Sequence, residues 1–128
     1  MRIFKTKWLV RFARRARIAD ESLREAIDRA GRGLIGADLG GGIIKQRVAR
    51  SGQGRSGGYR TVIPYRARTR AVFLYAFAKN ERQNIDADEL ATFREIGAAW
   101  LGADTRLLAQ ALEDGRLQEV RNDENTAT

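Results

Sequence analysis

The chain of 128 residues contains no cysteine and no histidine. Without cysteine there is neither a disulfide nor a thiolate metal site, so a reducing compartment is permitted. Without histidine, Ser-His triads, Cys-His dyads, histidine-bound zinc and histidine pairs for acid/base work are all excluded. Any acid/base chemistry must therefore use lysine, arginine, tyrosine or a carboxylate.

The sequence also lacks a long apolar run. The longest unbroken one, residues 71–78, has eight residues, whereas a membrane-spanning helix needs about 20. Residues 1–17 are rich in arginine and free of acids, as in a mitochondrial presequence, but no cleavage-site spacer follows, which favours an amphipathic first helix. With 43% hydrophobic and 31% charged residues, the composition predicts one folded domain, with the cytoplasm as the default location.

Acidic residues are missing from the middle of the chain. No Asp or Glu occurs between Asp38 and Glu81, yet this interval holds nine basic residues: Lys45, Arg47, Arg50, Arg55, Arg60, Arg66, Arg68, Arg70 and Lys79. The formal net charge of +8 is uneven, because residues 1–80 carry 19 Lys and Arg against 5 acids and residues 81–128 carry 5 against 11. Most of the nine are arginine, whose planar guanidinium pairs with two phosphate oxygens at once. Residues 40–80 therefore predict a surface for a polyanion, above all RNA.

Hydrophobic periodicity and capping signals predict an α+β fold. The expected elements are a strand at residues 2–6, helices at 7–17 and 20–30, strands at 43–50, 59–66 and 70–78, and helices at 86–100 and 104–112. The second helix begins near Asp20 or at a capping box from Ser22 to Glu25, and Asp86 with Glu89 forms another. Pro64 indicates a bulge or a sheet edge.

The expected architecture has two N-terminal helices packed on a small twisted antiparallel sheet, followed by C-terminal helices. Three strands form an antiparallel meander, and Gly40-Gly41-Gly42 interrupts regular structure before the first of them. We expect a main domain over residues 1–102 and a helical extension with a frayed acidic tail over residues 103–128. That acidic part is also a candidate mask that folds back on the basic sheet.

Alternate residues of a strand share a face, so Lys45 and Arg47 are expected to project together, and Arg60 to project with Arg66. The Gly/Ser-rich segment 51–58 between the two strands offers backbone N–H groups to a phosphate. It is not a P-loop, because no Gly-Lys-Ser/Thr opens a helix.

Three stretches resemble the RelE/HigB toxins of bacterial type II toxin–antitoxin pairs, within the RelE/ParE superfamily. They are Ile44-Lys-Gln-Arg-Val-Ala-Arg50, Gly57-Gly-Tyr-Arg60 entering a strand, and Phe73-Leu-Tyr-Ala-Phe-Ala-Lys-Asn-Glu-Arg82 followed by a helix from Asp88. The resemblance spans roughly residues 1–101 and depends on the order and spacing of these motifs. It implies a fold like the microbial ribonucleases.

The resemblance further implies an endoribonuclease, or mRNA interferase, that cuts mRNA in the ribosomal A site. The ribose 2′-hydroxyl attacks the adjacent phosphorus and leaves a cyclic phosphate, with no metal or other cofactor. Lys45 and Arg47 match residues for proton abstraction and phosphate binding, Arg60 matches the arginine that stabilises the transition state, and Lys79 completes the catalytic set. The RNA-binding set that it implies is Arg50, Arg55 and Arg82.

This sequence departs from the family pattern at two positions. Some members have an arginine where this chain has Asn80, and a tyrosine or histidine near Asp86, so a general acid from that position is missing. Lys79 is the expected substitute, since a lysine crowded by other cations binds its proton less tightly. Tyr59 and Tyr75 are the alternatives, although core packing accounts for both.

The expected partners are the ribosome, its mRNA and a cognate antitoxin with a helix-turn-helix or an acidic character, and no membrane. Two other functions remain open. ParE toxins, a related branch, poison DNA gyrase without nuclease chemistry. A non-catalytic nucleic-acid-binding module would also use this basic surface, through release of counterions from phosphates.

Overall fold

The computed structural model describes residues 1–50 and 58–121 of the chain. The predicted RNA-binding residue Arg55, most of the Gly/Ser-rich segment and the acidic tail from 122 to 128 lie outside the described residues. The elements, in chain order, are β1 (Arg2–Thr6), α1 (Lys7–Ala16), α2 (Asp20–Gly31), β2 (Ala37–Gly40), β3 (Ile43–Val48), β4 (Tyr59–Arg66), β5 (Arg70–Phe73), β6 (Tyr75–Ala78), α3 (Ala87–Leu101), α4 (Thr105–Glu113) and β7 (Leu117–Glu119).

The described strands form one mixed sheet in the order β2-β3-β4-β5-β1-β7, with β6 also paired to β4. Only β1 and β5 run parallel among the described pairs, and the others are antiparallel. The expected α+β class and the meander of three consecutive strands are therefore confirmed. The third strand of the meander is divided at Leu74 into β5 and β6.

Pro64 lies in the central strand β4, so the alternative of a sheet edge was wrong. Val62 pairs with Tyr75 and Tyr65 pairs with Ala71, which sets two residues of β4 against three of the neighbouring strand. The sheet thus has a bulge beside Pro64, centred on the break at Leu74. A proline is tolerated at this point because pairing is interrupted on the side where its N–H would have donated.

The glycine run was expected to interrupt regular structure, but it forms the turn of a hairpin between β2 and β3. Gly40, Gly41 and Gly42 all have positive φ angles, of 78°, 62° and 80°, which glycine adopts without steric cost. The consequence is an additional strand, β2, along the outer edge of β3.

The chain after α3 forms helix α4, as expected, and then a strand that the sequence did not reveal. This strand, β7, pairs with β1 at the sheet edge opposite β2. Residues 104–121 therefore do not cover the basic strand β3, and the idea that the described part of the acidic segment masks it was wrong.

Helices pack on both faces of the sheet. On one face, α1 and α2 bury Leu9 and Leu23 against Ile44 and Ile63. On the other, α3 and α4 cover two smaller apolar clusters, one around Val62 and Phe77 and one around Phe4 and Leu108. No helix within the described residues is long and apolar enough to cross a membrane.

Two expected capping boxes had different outcomes. Helix α3 has one, because the Asp86 carboxylate accepts from the Glu89 N–H while the Glu89 carboxylate accepts from the Asp86 N–H. Helix α2 has none at Ser22, since it begins at Asp20 after Ala19, which has no side-chain cap.

The Asp20 carboxylate joins the start of α2 to the sheet. It accepts hydrogen bonds from Lys5 Nζ at 2.6 Å and from the Arg121 N–H at 2.8 Å, and so ties α2 to β1 and to the end of β7.

Gln46 fixes β3 in place from the face opposite the predicted site. Its side chain is buried; Nε2 donates to Ala26 O and Leu34 O, at 2.8 and 3.1 Å, and Oε1 accepts from the Gly36 N–H at 2.7 Å. One buried amide therefore joins β3 to α2 and to the segment that leads into β2. It also determines which way its two neighbours in sequence, Lys45 and Arg47, project.

Gln46→Leu should lower the free energy of unfolding by about 2 kcal/mol or more, because it removes the hydrogen bonds to the Gly36 N–H and to the carbonyl oxygens of Ala26 and Leu34. Urea unfolding followed by circular dichroism measures this change. Gln110→Leu, at an exposed position of α4, is the matched control. An equal and small loss for both variants would contradict the anchoring role.

Candidate functional site

Strands β3 and β4 bring the predicted site residues onto one face of the sheet. Their register pairs Arg47 with Arg60 and Lys45 with Val62. Val62 packs against the α3 side of the sheet, and side chains that are opposite in register or alternate along a strand share a face. The structure thus gathers Lys45, Arg47 and Arg60 on the α3 face, whereas alternation in the sequence predicted only that Lys45 and Arg47 project together.

Arg47 and Arg60 face each other at close range. The Tyr65 N–H donates to Gly42 O at 2.8 Å, which makes that pair a hydrogen-bonded one in an antiparallel ladder. By alternation, Arg47 and Arg60 form a non-hydrogen-bonded pair, in which the Cα atoms are about 4.5 Å apart. Like charges directly opposite each other destabilise a sheet, so an anion held between the two side chains would stabilise this pair.

No carboxylate relieves this repulsion within the described residues. In residues 1–50 and 58–121, no hydrogen bond or ion pair joins the side chains of Lys45, Arg47 and Arg60 to another protein group. Elsewhere in that part of the chain, several basic residues do have carboxylate partners: Arg2, Lys5, Arg29, Arg82 and Arg116. The three cations on β3 and β4 are therefore open to an external anion.

The second half of helix α3 packs closely on the Pro64 end of these strands. At Gly97 an added Cβ would lie 2.7 Å from Pro64 Cγ and 2.9 Å from Ile43 Cδ1, so only glycine allows the helix to come this close. The opposite end of β3 and β4 opens into a cleft of about 320 Å³. Its lining is Gly36, Ala37, Lys45, Gln46, Arg47 and Arg60.

Two further predicted residues, Arg50 and Lys79, line a second cleft of about 640 Å³. It lies where β3 ends, β4 begins and β6 ends, and Tyr59 forms part of its wall. Lys79 comes two residues after Phe77, which is the cross-strand partner of Arg60. At such a diagonal position the Cα atoms of Lys79 and Arg60 are roughly 8 Å apart. The cleft that contains Lys79 therefore lies next to the cleft that contains Arg60, although the two have no lining residue in common.

A protein-family model described as the RelE toxin of the RelE / RelB toxin-antitoxin system matches residues 1–120. The chain belongs to the RelE toxin family. No curated protein matches the chain. The family match includes α4 and β7, which pack and pair with the rest of the sheet, and an antitoxin is the partner that membership implies.

In this RelE-family chain, Arg82 has a partner that the sequence did not reveal. Its guanidinium forms two hydrogen bonds with the Glu89 carboxylate, one of them 2.9 Å from Nη1 to Oε2, and it also donates to Asn84 O and to the Tyr75 hydroxyl. It lies 5.6 Å from the centre of the Phe77 ring. Arg82 therefore braces the start of α3 beside Arg60, and contact with RNA would have to compete with these bonds.

Arg66 and Arg70 belonged to the predicted basic surface, but they cap the end of α3. Arg70 Nη1 donates to Trp100 O, Leu101 O and Ala103 O at 2.8, 3.2 and 2.8 Å, and Arg66 Nη1 donates to Leu101 O at 3.1 Å. Cations at this end complement the helix dipole. Burial and the neighbouring Arg66 lower the pKa of Arg70. The acid-free segment thus serves α3 as well as the candidate site.

The two tyrosines that were alternatives for proton transfer are both half-buried and pack against the core. The ring of Tyr59 makes an edge contact with Phe12 at 5.2 Å, and the ring of Tyr75 lies between Trp8 and Phe93 at 4.7 and 5.3 Å. The Tyr75 hydroxyl already accepts a bond from Arg82 at 3.3 Å. These contacts agree with the packing roles expected for both.

The hydrogen bonds from Arg82, and then that from the Asp86 N–H, hold the pKa of Glu89 down at about 2, from an ordinary 4.5. Because the folded-state pKa is depressed, the stabilisation is complete above pH 4.5 and is lost as the pH falls towards 2. Glu89→Gln should lower the melting temperature at pH 7, and the gap from the parent should close between these two pH values. Thermal unfolding across that range measures it.

Glu95→Gln is the control, since it removes a charge from the same helix without touching Arg82. A gap between parent and Glu89→Gln that stayed constant down to pH 2 would show that Glu89 stabilises by hydrogen bonding alone.

Proposed function

We propose that this RelE-family toxin is a ribosome-dependent endoribonuclease that cleaves mRNA through attack of a ribose 2′-hydroxyl on the adjacent phosphorus. The observation that carries the proposal is the convergence of Lys45, Arg47 and Arg60 in one cleft with no carboxylate partner among the described residues. A phosphodiester placed between Arg47 and Arg60 would relieve their mutual repulsion. The antitoxin would inhibit the enzyme by covering or neutralising the same cleft.

The reaction forms a bond from O2′ to phosphorus and breaks the bond from phosphorus to O5′, which yields a cyclic phosphate and a free 5′-hydroxyl. In the transition state, negative charge grows on the non-bridging oxygens. In this proposal Arg47 and Arg60 stabilise that charge, because fixed charges aimed at developing charge contribute most to such catalysis.

Two protons must move in this reaction, one from O2′ and one to O5′. Arginine keeps its proton at any working pH, whereas lysine can lose one. Among the three cations of the cleft, only lysine has a neutral form that can accept a proton. Lys45 therefore accepts the O2′ proton in this proposal. Lys79, at the near end of the neighbouring cleft, donates to O5′ in this proposal. Translating ribosomes would bring the mRNA into the geometry for in-line attack.

Arg60→Ala should lower the rate of mRNA cleavage on translating ribosomes by about 100-fold to 1,000-fold, the usual effect of removing one such charge-stabilising group. Primer extension locates the cuts, and analysis of the ends detects the cyclic phosphate. Arg106→Ala changes the net charge equally at an exposed position of α4 and should cut like the parent. Cyclic-phosphate ends at the parent rate from Arg60→Ala would overturn the assignment of Arg60.

Lys45→Arg separates charge from proton transfer, because it keeps the cation and removes the titratable amine. Lys45→Arg should bind RNA like the parent but cleave it far more slowly, because the charge remains while the base is lost. Two other outcomes would favour the alternative functions. If the parent protein bound RNA but produced no cyclic-phosphate ends, it would be a non-catalytic RNA-binding protein. If it inhibited DNA gyrase and did not cleave RNA, it would act like the ParE toxins.

A further inference from the structure

A third groove, of about 360 Å³, lies where α1 passes the end of α4 and the start of β7. It has no lining residue in common with the two clefts described above. One wall consists of three cations from α1, and the floor between the elements is apolar. The lining residues are Lys7, Val10, Arg11, Arg14, Leu112, Gly115, Leu117 and Gln118.

This groove is too far from the cations of β3 and β4 to belong to the same site. Strand β7 lies three places from β4 in the sheet, so at about 4.8 Å for each place it is roughly 14 Å away. Helix α1 also packs its buried side on the sheet face opposite α3, with Leu9 against Ile44 and Ile63. A ligand in the groove would therefore leave the Arg47–Arg60 cleft open.

The cations of the wall form one stripe along α1. Lys7, Arg11 and Arg14 are four and three residues apart, so they project on the same side of the helix. In the part of the chain that the structure describes, none of their side chains has an ion pair or a hydrogen bond to a protein group. Like charges at these spacings destabilise a helix, and residues 1–19 contain no acid that could offset them. An acidic partner along the stripe would remove this cost.

The floor of the groove favours a peptide over RNA. Val10 and Leu112 are half-buried and Leu117 is buried, so the first two still expose aliphatic surface that a partner can cover. No aromatic ring lines the groove, and an unstacked base therefore has nothing to stack on. A phosphate backbone would use the cations but gain nothing from the floor. An amphipathic helix uses both, with its acids towards α1 and its apolar side towards the floor.

We infer that this groove docks an acidic amphipathic helix of a protein partner, and that the partner is the antitoxin implied by membership of the RelE family. The stripe from Lys7 to Arg14 is about 10 Å long, which corresponds to two turns of such a helix. The inference goes beyond the proposed function, because it concerns a protein contact and does not depend on RNA cleavage. It gives the antitoxin an anchor at the β7 edge of the sheet, separate from any part that covers the catalytic cleft.

The first test uses a synthetic peptide of about 18 residues, roughly five turns of helix, with leucine along one side and glutamate on both flanks. The parent should bind it, and should bind a control peptide with glutamine at every glutamate much more weakly. Arg11→Gln/Arg14→Gln should weaken binding of the acidic peptide roughly five-fold, the combined effect of two exposed ion pairs. Arg32→Gln/Arg106→Gln, at exposed positions outside the groove, is the matched control and should bind like the parent. Fluorescence anisotropy at one fixed salt concentration measures the affinities.

Val10→Ala tests the floor, since it removes aliphatic surface and no charge. It should weaken binding of the acidic peptide several-fold and leave binding of an uncleavable 2′-O-methyl RNA oligonucleotide unchanged. Equal binding of the acidic and the glutamine peptides by the parent would overturn the inference. If Arg11→Gln/Arg14→Gln weakened binding of the oligonucleotide as much as binding of the peptide, the stripe would be an RNA contact, and the inference would fall as well.

The purified antitoxin tests which partner supplies the helix. Isothermal titration calorimetry should give an affinity for Arg11→Gln/Arg14→Gln roughly five-fold weaker than for the parent, and an unchanged affinity for Arg32→Gln/Arg106→Gln. Equal affinities for the two double variants would exclude the antitoxin from the groove and contradict the inference. A parent that bound the peptide and the antitoxin as expected but did not cleave RNA would remove the nuclease and leave the docking groove.

Discussion

The register of β3 against β4 sets Arg47 directly opposite Arg60, and the candidate site depends on this unfavourable pairing. A hairpin that only had to be stable would place a carboxylate across from one of the two. The rest of the local structure keeps the pair in place and keeps it exposed. Gln46 fixes β3 from the opposite face with three hydrogen bonds, while the close approach of Gly97 to Pro64 and Ile43 fixes α3 against the same two strands.

The same residue type serves two purposes in this chain, and its surroundings decide which. Arg66 and Arg70 meet the carbonyl oxygens at the end of α3, and Arg82 meets the carboxylate of Glu89 at its start. These arginines stabilise the helix that covers part of the sheet. Arg47 and Arg60 meet no such group among the described residues, so their charge remains available to phosphate. The candidate site is therefore marked by basic side chains that lack a partner within the described residues, and not by the number of basic residues.

Much of this arrangement could be predicted from the sequence. Alternation along a strand is strict, so placing Lys45 and Arg47 on one face needed only the correct assignment of β3. The capping box at Asp86 was equally readable, because it depends on two residues three positions apart. The family assignment followed from the order of local motifs, and the match over residues 1–120 confirms it.

What the sequence could not reveal depends on contacts between distant residues. The short strand β7 has three residues, too few to show an alternating pattern, and it becomes a strand because β1 offers a free edge. The glycine run was predicted to break regular structure because the same residues suit a break and a tight turn. The structural roles of Arg66, Arg70 and Arg82 depend on carbonyl and carboxylate groups that only the fold brings near. A count of basic residues in the sequence therefore overestimated how many of them are available to bind RNA.

The most direct test of the central claim is a double-mutant cycle on the Arg47–Arg60 pair, measured by thermal unfolding. With Arg47→Gln, Arg60→Gln and the double variant at low salt, we expect a repulsive coupling of about 0.5 kcal/mol, within the range for cross-strand pairs. The coupling should become favourable when an uncleavable RNA oligonucleotide is bound, because one phosphate then bridges both guanidinium groups. A coupling of zero in the free protein, unchanged by RNA, would show that the two arginines do not act as one phosphate site and would contradict the account.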